Sequence, residues 1–181
     1  TGTTASYEAI RDAATAGSSE PPAKSTTIRY RDWLTALWLL DPVPAWRAPG
    51  APLRRLTVGP KHHLADPGLA AHVLGVETED LLDGAGRVAS GHGTLLGALF
   101  ESLATLTVRC LAQTLEAGTA HLRTQRGERE VDLVVEGRGG RLVALEVKLG
   151  ASVVDSDVRH LHWFHRELGD RVKDLAVLTT G

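Results

Sequence analysis

The segment 129-REVDLVVEGRGGRLVALEVKLG-150 constrains the fold more than any other part of this 181-residue chain. Two apolar runs with period-two alternation flank a glycine-rich turn, and this pattern predicts an antiparallel β-hairpin. Each predicted strand also contains an acidic residue, Asp132 or Glu146, and Lys148 follows the second one. Burying a charged group without a partner is unfavourable, so these positions inside apolar strands need an explanation.

The turn determines which residues of the hairpin face each other. With the loop centred on Gly139, Asp132 lies opposite Glu146, and alternation places Lys148 on the same face. Two opposed carboxylates, with Cβ atoms about 5 Å apart, repel each other unless a cation lies between them. Mg²⁺ is commonly bound by one or two carboxylates, so the pair predicts a divalent-metal site. The alternative is a solvent-facing acidic surface that Lys148 simply neutralises.

A third acidic residue, Glu101, is the only charged residue in the apolar segment 94-TLLGALFESLATLTV-108. The segment predicts a long helix, in which an unpaired carboxylate is unfavourable if it is buried. We therefore expect Glu101 either to face solvent or to join the two hairpin acids.

The rest of the pattern divides the chain into two parts. The glycine-rich stretch 84-GAGRVASGHG-93 predicts a linker, with one domain over residues 1–84 and another over residues 85–181. In the second domain the order helix, strand, strand, strand, helix, strand is typical of an α/β (α+β) domain with a small mixed sheet. In the first domain we expect two helices followed by a two-stranded wing.

Composition narrows the class of protein. The net charge is −2 and the hydrophobic fraction is 43%, which is ordinary for a soluble domain. No apolar run is expected to reach the roughly 18 residues that span a membrane. The only cysteine, Cys110, excludes an internal disulfide and is expected to be buried. These features predict a cytoplasmic protein without a membrane partner, and the absence of methionine predicts a piece of a longer chain.

Two sets of residues resemble known families. Asp132, followed after thirteen residues by Glu146-Val147-Lys148, resembles the PD-(D/E)XK nuclease signature, with Glu101 as its upstream helix acid. A wider set of segments resembles the C-terminal half of a bacterial and archaeal AAA+ ATPase family: 27-TIRYRDWLTALWLLDPVPAW-46, 61-KHHLADPGLAAHVLG-75, 96-LGALFESL-103, 129-REVDLVV-135 and 143-VALEVK-148. Two positions depart from these patterns, since Val131 precedes Asp132 in place of proline, and Pro67 follows Asp66 in place of threonine.

The resemblance implies a winged helix followed by a restriction-endonuclease-like α/β domain. The ATPase half and its ATP would lie outside this chain, which contains no G-x-x-x-x-G-K-[ST] motif. In the implied mechanism Asp132 and Glu146 hold Mg²⁺ or Mn²⁺, Glu101 completes the site, and Lys148 positions water for phosphodiester hydrolysis. In the alternative, the domain has lost catalysis and recognises DNA or a protein partner for its own ATPase domain.

The predicted winged helix suggests a second, DNA-binding site, because the second helix of such domains enters the major groove. Candidate contacts lie near the start of that helix and in the wing: Lys24, Thr27, Arg29, Arg31, Arg54 and Arg55. The basic excess over residues 1–75 is small, eight Lys and Arg against six Asp and Glu. A protein–protein or interdomain role is therefore the alternative. We expect Trp33, Trp38 and Trp46 to lie in the core.

Overall fold

A computed structural model describes residues 11–12, 15, 22–47, 59–83, 88–89, 91, 93–124 and 127–180, which form a mixed α+β structure as predicted. The helices are α1 (Lys24–Ala36), α2 (Pro67–Val73), α3 (Thr78–Leu81), α4 (Gly93–Thr114) and α5 (Asp155–Leu168). The strands are β1 (Leu40–Val43), β2 (Lys61–Leu64), β3 (Gly118–Arg123), β4 (Glu130–Glu136), β5 (Leu142–Val147) and β6 (Val172–Leu178).

The C-terminal strands form one four-stranded mixed sheet in the order β3-β4-β5-β6. Neighbours are antiparallel except β5 and β6, which are parallel and are joined through α5. In the β4–β5 hairpin Leu133 pairs with Leu145 and Val134 with Ala144, so the predicted register is confirmed. The turn depends on Gly139, whose φ of 73° is a conformation that glycine adopts readily.

Helices α4 and α5 cover opposite faces of this sheet. On one face Val134 and Ala144 pack in a buried cluster with Leu161 and Phe164 of α5. On the other face a smaller cluster contains the following residues: Val43, Leu133 and Leu145, with Val108 of α4 packed against them. Both faces of the hairpin are thus covered, so its acidic residues lie beside packed apolar side chains.

A β-bulge interrupts the pairing of β3 and β4 at Asp132. Two residues, Asp132 and Leu133, lie opposite the single residue His121. Strict alternation had placed Val131 on the same face as Leu133, but Val131 packs in the cluster of Val134 on the α5 face. Because a bulge adds one residue to a strand and re-aims its side chains, simple parity is wrong here.

The N-terminal part joins the sheet at the edge of β3. Strands β1 and β2 pair antiparallel, as expected of a wing. Beyond β1 the chain makes two backbone hydrogen bonds with β3, from Trp46 N–H to His121 O (2.7 Å) and from His121 N–H to Pro44 O (2.9 Å). The turn of the predicted wing and most of the first predicted helix lie outside the described residues, so the winged helix stays a prediction.

Helix α1 buries none of its residues and belongs to none of the core clusters formed by the described residues. Trp33 is 53% exposed and Trp38 is 84% exposed, so the prediction that both lie in the core is wrong. Arg29, Arg31 and Asp32 separate the apolar side chains of α1, which leaves no continuous stripe to pack. Only Trp46 is buried as expected, with its ring edge against Phe164.

Helix α4 is more apolar than the sequence reading allowed. With 22 residues and a mean hydropathy of 1.5 over its most apolar window, it is long and apolar enough to cross a membrane. The expectation that no apolar segment reaches this length is therefore wrong. The core helix of a soluble protein can have the same length and hydropathy. The expected burial of Cys110, which lies on α4, is also wrong, because its side chain is exposed.

Candidate functional site

The ammonium group of Lys61 lies among three carboxylates at one end of the sheet. Its Nζ forms ion pairs with Glu101 of α4, with Glu130 Oε1 at 3.4 Å and with Asp132 Oδ1 at 3.2 Å. Lys61 is the first residue of β2 and is only 4% exposed. Neither Lys61 nor Glu130 was among the site residues predicted from the sequence. Glu130 shares its strand with Asp132, which is the one signal that could have indicated it.

The four predicted catalytic residues converge on the same region. Glu101 does not face away from the hairpin, since it binds the same ammonium as Asp132. The second oxygen of Asp132, Oδ2, accepts a hydrogen bond from the Val147 N–H at 2.9 Å. Lys148 Nζ donates to Glu146 Oε1 at 2.8 Å. Three separate elements, α4, β4 and β5, therefore supply the acidic side chains of the cluster.

Glu146 is the most buried of these acids, at 7% exposure. Its Oε2 atom is buried and has no hydrogen-bond partner among the described residues. Burial, and then the negative charge of Asp132, raise the pKa of Glu146 to about 7, although Lys148 opposes the shift. A share of the Glu146 carboxyl groups is therefore protonated at neutral pH in the arrangement described.

Burial affects the pKa values of Lys61 and Glu101, which form an ion pair, in opposite directions. Burial acts to lower the pKa of Lys61, but the charges of Asp132 and Glu101 outweigh it and raise that pKa. Burial raises the pKa of Glu101, and Lys61 only partly offsets this because Asp132 and Glu130 add to the rise. Lys61 is thus firmly positive, while the acids around it are more numerous than one ammonium can neutralise.

Two histidines hold the chain on either side of Lys61. His63 Nδ1 lies 3.1 Å from Ser102 Oγ, which donates its own proton to Ala98 O, so His63 acts as the donor. Burial, and then the Lys61 charge, lower the pKa of His63 to about 3, which keeps the ring neutral. On the other side the His121 Nε2–H donates to Gly59 O at 3.0 Å. Strand β2 is therefore anchored against both α4 and the sheet.

Whether the acids fit a metal ion depends on Lys61. In the described part of the chain, no three His, Cys, Asp or Glu side chains are arranged to hold a metal ion. The chemistry of the donors is nevertheless suitable, because Mg²⁺ and Mn²⁺ take carboxylate oxygens and the Glu146 Oε2 atom has no other partner. The donor chemistry of these carboxylates suits a divalent cation, but in the described arrangement the ammonium of Lys61 lies between Glu101, Glu130 and Asp132.

The predicted DNA-binding residues divide into two groups. Lys24, Thr27, Arg29 and Arg31 lie on α1, exposed or partly exposed. Arg31 Nε donates to Asp32 at 3.0 Å, and the Arg29 guanidinium lies 5.4 Å from the centre of the Trp33 ring. Arg54 and Arg55 lie outside the described residues. These contacts of Arg29 and Arg31 join residues of α1 itself.

The larger cavities lie away from the acids. One cleft of about 610 Å³ is lined by Trp46 and Glu136, and another of about 660 Å³ by Arg138, Arg141 and Lys173. Both border the turn end of the hairpin rather than the end that carries Asp132. Because the Lys61 side chain fills the acidic region, cavity size alone does not identify the candidate site.

Comparison with known proteins assigns the two parts of the chain to different profiles. Residues 96–181 match a domain of unknown function (DUF4143), and residues 1–80 match another domain of unknown function (DUF8612). No curated protein and no solved structure gives a significant match. The C-terminal match contains Glu101, Asp132, Glu146 and Lys148, whereas Lys61 lies within the N-terminal match.

Proposed function

We propose that the C-terminal part is a PD-(D/E)XK nuclease-like domain of a longer AAA+ ATPase-family protein, and that it hydrolyses phosphodiester bonds of DNA with a divalent metal. The observation that carries this proposal is that Glu101 and Asp132 bind the same ammonium, while Glu146 lies close enough to Asp132 for that charge to raise its pKa. The three acids come from three separate elements. The order α4, β3, β4, β5, α5, β6 supports it, because it is the order predicted from the sequence for an α/β domain, the class to which the resembled nuclease-like fold belongs.

The residues of this cluster have distinct roles in the proposed reaction. Asp132 and Glu146 would hold Mg²⁺ or Mn²⁺, with Glu101 completing the set of carboxylates. Such an ion activates water and stabilises negative charge on a phosphate. Burial acts to lower the pKa of Lys148, but its hydrogen bond to Glu146 and the Glu146 charge raise it. Lys148 therefore stays protonated, and it acts as a hydrogen-bond donor to water or phosphate rather than as a base.

A plasmid-nicking assay with Mn²⁺ tests the proposal on this chain and on two matched variants. Asp132→Asn removes a carboxylate of the acidic cluster, while Glu136→Gln removes one at the other end of the same strand. We expect nicking by the wild type and by Glu136→Gln, and a loss of at least about 100-fold in Asp132→Asn, beyond the roughly 10–100-fold typical of outer-shell changes. Nicking that survives in Asp132→Asn would exclude this site.

One observation favours the second candidate, a non-catalytic module that recognises DNA or a protein partner for the ATPase domain. The acids already have a buried internal counter-charge in Lys61. In this alternative the cluster fixes the N-terminal part against the sheet and never binds metal. Nicking would then be absent from the wild type and from every Lys61 variant, while binding to DNA would depend on α1.

A further inference from the structure

We propose that Glu101, Glu130 and Asp132 bind either the ammonium of Lys61 or a divalent metal ion, so that Lys61 of β2 competes with metal for these carboxylates. The proposal rests on the proposed function of the same cluster and adds its regulation. Metal enters only when Lys61 withdraws, and the position of the N-terminal part then sets whether the site is open.

The geometry around Lys61 is that of a bound cation rather than of a surface ion pair. A lysine ammonium has three hydrogen-bond donors and no acceptor, and here three carboxylates face it. Exposed pairs contribute little because water competes with them, but Lys61 is almost fully buried. The three acids come from α4 and β4, whereas the lysine comes from β2, so the contact links the two parts of the chain.

The charge balance shows that the ammonium is an incomplete counter-ion. Glu101, Glu130 and Asp132 carry three negative charges when ionised, against the single charge of Lys61. Arg123 adds a more distant contact, 3.8 Å from Glu130 Oε2, at the exposed rim. A divalent ion would neutralise one charge more than Lys61 does, and it would do so with ligands of the type it prefers.

An independent observation at Glu146 supports binding of a cation other than Lys61. Glu146 is more than nine-tenths buried, lies close enough to Asp132 for that charge to raise its pKa, and leaves Oε2 without a hydrogen-bond partner in the described structure. Buried polar atoms are rarely left unpaired, and a divalent cation would give this carboxylate oxygen a partner. Lys61 Nζ makes no ion pair with Glu146 among the described contacts, so it serves only part of the acidic set.

A metal ion held by Glu101, Glu130 and Asp132 would occupy the position of the Lys61 ammonium, which already contacts all three carboxylates. Binding of metal and binding of Lys61 are therefore mutually exclusive. The affinity for metal is reduced by the fraction of molecules in which Lys61 occupies the site. The anchoring of β2 through His63 and Ser102, and through His121 and Gly59, favours the occupied state.

Calorimetric titration with Mn²⁺ tests the exchange on the full chain. Lys61→Met removes the ammonium while keeping a side chain of similar length, and Lys173→Met removes an exposed lysine elsewhere on the sheet. We expect Lys61→Met to bind Mn²⁺ at least about 10-fold more tightly than the wild type, and Lys173→Met to bind like the wild type. The double variant Lys61→Met/Asp132→Asn is expected to lose the gain. An unchanged affinity in Lys61→Met, or a gain that persists without Asp132, overturns the proposal.

A measurement on the wild type keeps the test valid if Lys61→Met does not fold. Amine acylation followed by mass spectrometry reports which lysines are exposed to solvent. Without metal we expect Lys61 to react far more slowly than Lys173, and Mn²⁺ to increase the labelling of Lys61 several-fold while leaving Lys173 unchanged. Labelling of Lys61 that does not respond to Mn²⁺ at any concentration shows that no exchange takes place.

Nicking assays separate this inference from the proposed function. If Lys61→Met binds Mn²⁺ more tightly but no variant cleaves a plasmid, the exchange stands and the nuclease proposal fails. If the wild type cleaves with Mn²⁺ and Lys61→Met neither binds more tightly nor cleaves faster, the nuclease proposal stands and the exchange fails.

Discussion

The hairpin of β4 and β5 carries acidic residues at both ends, and the two ends stabilise them differently. At the turn end Glu136 is partly exposed, with 34% of its side chain accessible. It accepts hydrogen bonds from Trp46 Nε1 at 3.0 Å and from Arg171 at 3.3 Å. At the other end Asp132 lies with Glu101 and Glu130 around the buried ammonium of Lys61, and Glu146 binds Lys148.

The difference between the two ends separates an acid with only a structural role, Glu136, from acids that are candidates for function. The single negative charge of Glu136 is neutralised by one partly exposed arginine, Arg171. Both of its carboxylate oxygens accept a hydrogen bond, from Trp46 and from Arg171. The opposite end has more carboxylates than cations, and one buried oxygen of Glu146 has no partner in the described structure. Burial with an excess of like charge perturbs pKa values and is a feature of functional sites. An acidic residue in a strand is by itself no such indication.

The largest difference between the two ends is expected from removing their cations. Lys61→Met leaves buried carboxylates without a counter-charge, which typically lowers the free energy of unfolding by about 3–5 kcal/mol. Arg171→Met breaks a partly exposed pair, for which we expect a loss below about 1 kcal/mol. Urea unfolding at neutral pH in the presence of a chelator measures both. Equal losses in the two variants would show that the ends do not differ in this way.

The second largest effect is the pH dependence of folding stability that Glu146 causes. Its pKa in the folded protein is about 7, above the ordinary 4.5, so the folded state binds a proton more tightly than the unfolded state. This contribution to stability is fully present below pH 4.5 and is lost as the pH rises through 7. From about 1.36 kcal/mol per pKa unit, its size is on the order of 3 kcal/mol.

Glu146→Gln is therefore expected to flatten the dependence of thermal stability on pH between about 4.5 and 7. The matched variant Glu136→Gln leaves Glu146 in place and is expected to retain the wild-type dependence. Melting temperatures measured across this range without divalent metal provide the comparison. A Glu146→Gln protein with the wild-type slope would show that Glu146 does not bind the additional proton.

A smaller loss of stability is expected when only Glu136 at the turn end is substituted. Glu136→Ala removes the acceptor of the Trp46 indole N–H, and loss of one such hydrogen bond costs about 1 kcal/mol. Glu136→Gln keeps an acceptor at that position, so its loss is expected to be smaller still. Urea unfolding of the pair measures the contribution of the hydrogen bond. A larger loss in Glu136→Gln than in Glu136→Ala would indicate that the charge on Glu136, rather than the hydrogen bond, stabilises this end.

The turn end and the hairpin register were predictable because their signals are local. Alternating apolar residues around Gly139 give two strands, and the turn fixes their pairing. The apolar spacing along α4 likewise predicts a helix from the sequence alone. In such segments the residues that determine the structure lie within a few positions of each other.

The Lys61 contact was not predictable in this way. Lys61 and Asp132 are 71 residues apart in the sequence, and nothing near Lys61 indicates that its side chain is buried. A lysine at the start of a predicted wing strand is ordinarily exposed. The bulge at Asp132 was missed for a related reason, because it depends on how β4 pairs with β3 rather than on the alternation within β4.

The smallest effect on stability is expected on α1, where Arg29 is exposed. Arg29→Ala removes a charge that lies over the Trp33 ring and touches no acid of the cluster. If α1 contacts DNA, this variant should bind duplex DNA several-fold more weakly, with a salt dependence reduced by about one phosphate contact. Its stability should stay within about 0.5 kcal/mol of the wild type.

Fluorescence anisotropy with a labelled duplex, repeated over a range of salt concentrations, measures this effect, and Lys173→Met provides a control on the distant sheet edge. Within the N-terminal part, the buried Lys61 and the exposed Arg29 differ in what they can bind. Lys61 is engaged with internal acids, so only surface residues such as Arg29 remain to contact a phosphate backbone. An affinity and a salt dependence that are both unchanged in Arg29→Ala would exclude a phosphate contact by this residue, and would favour a protein partner for the exposed Trp33 of α1.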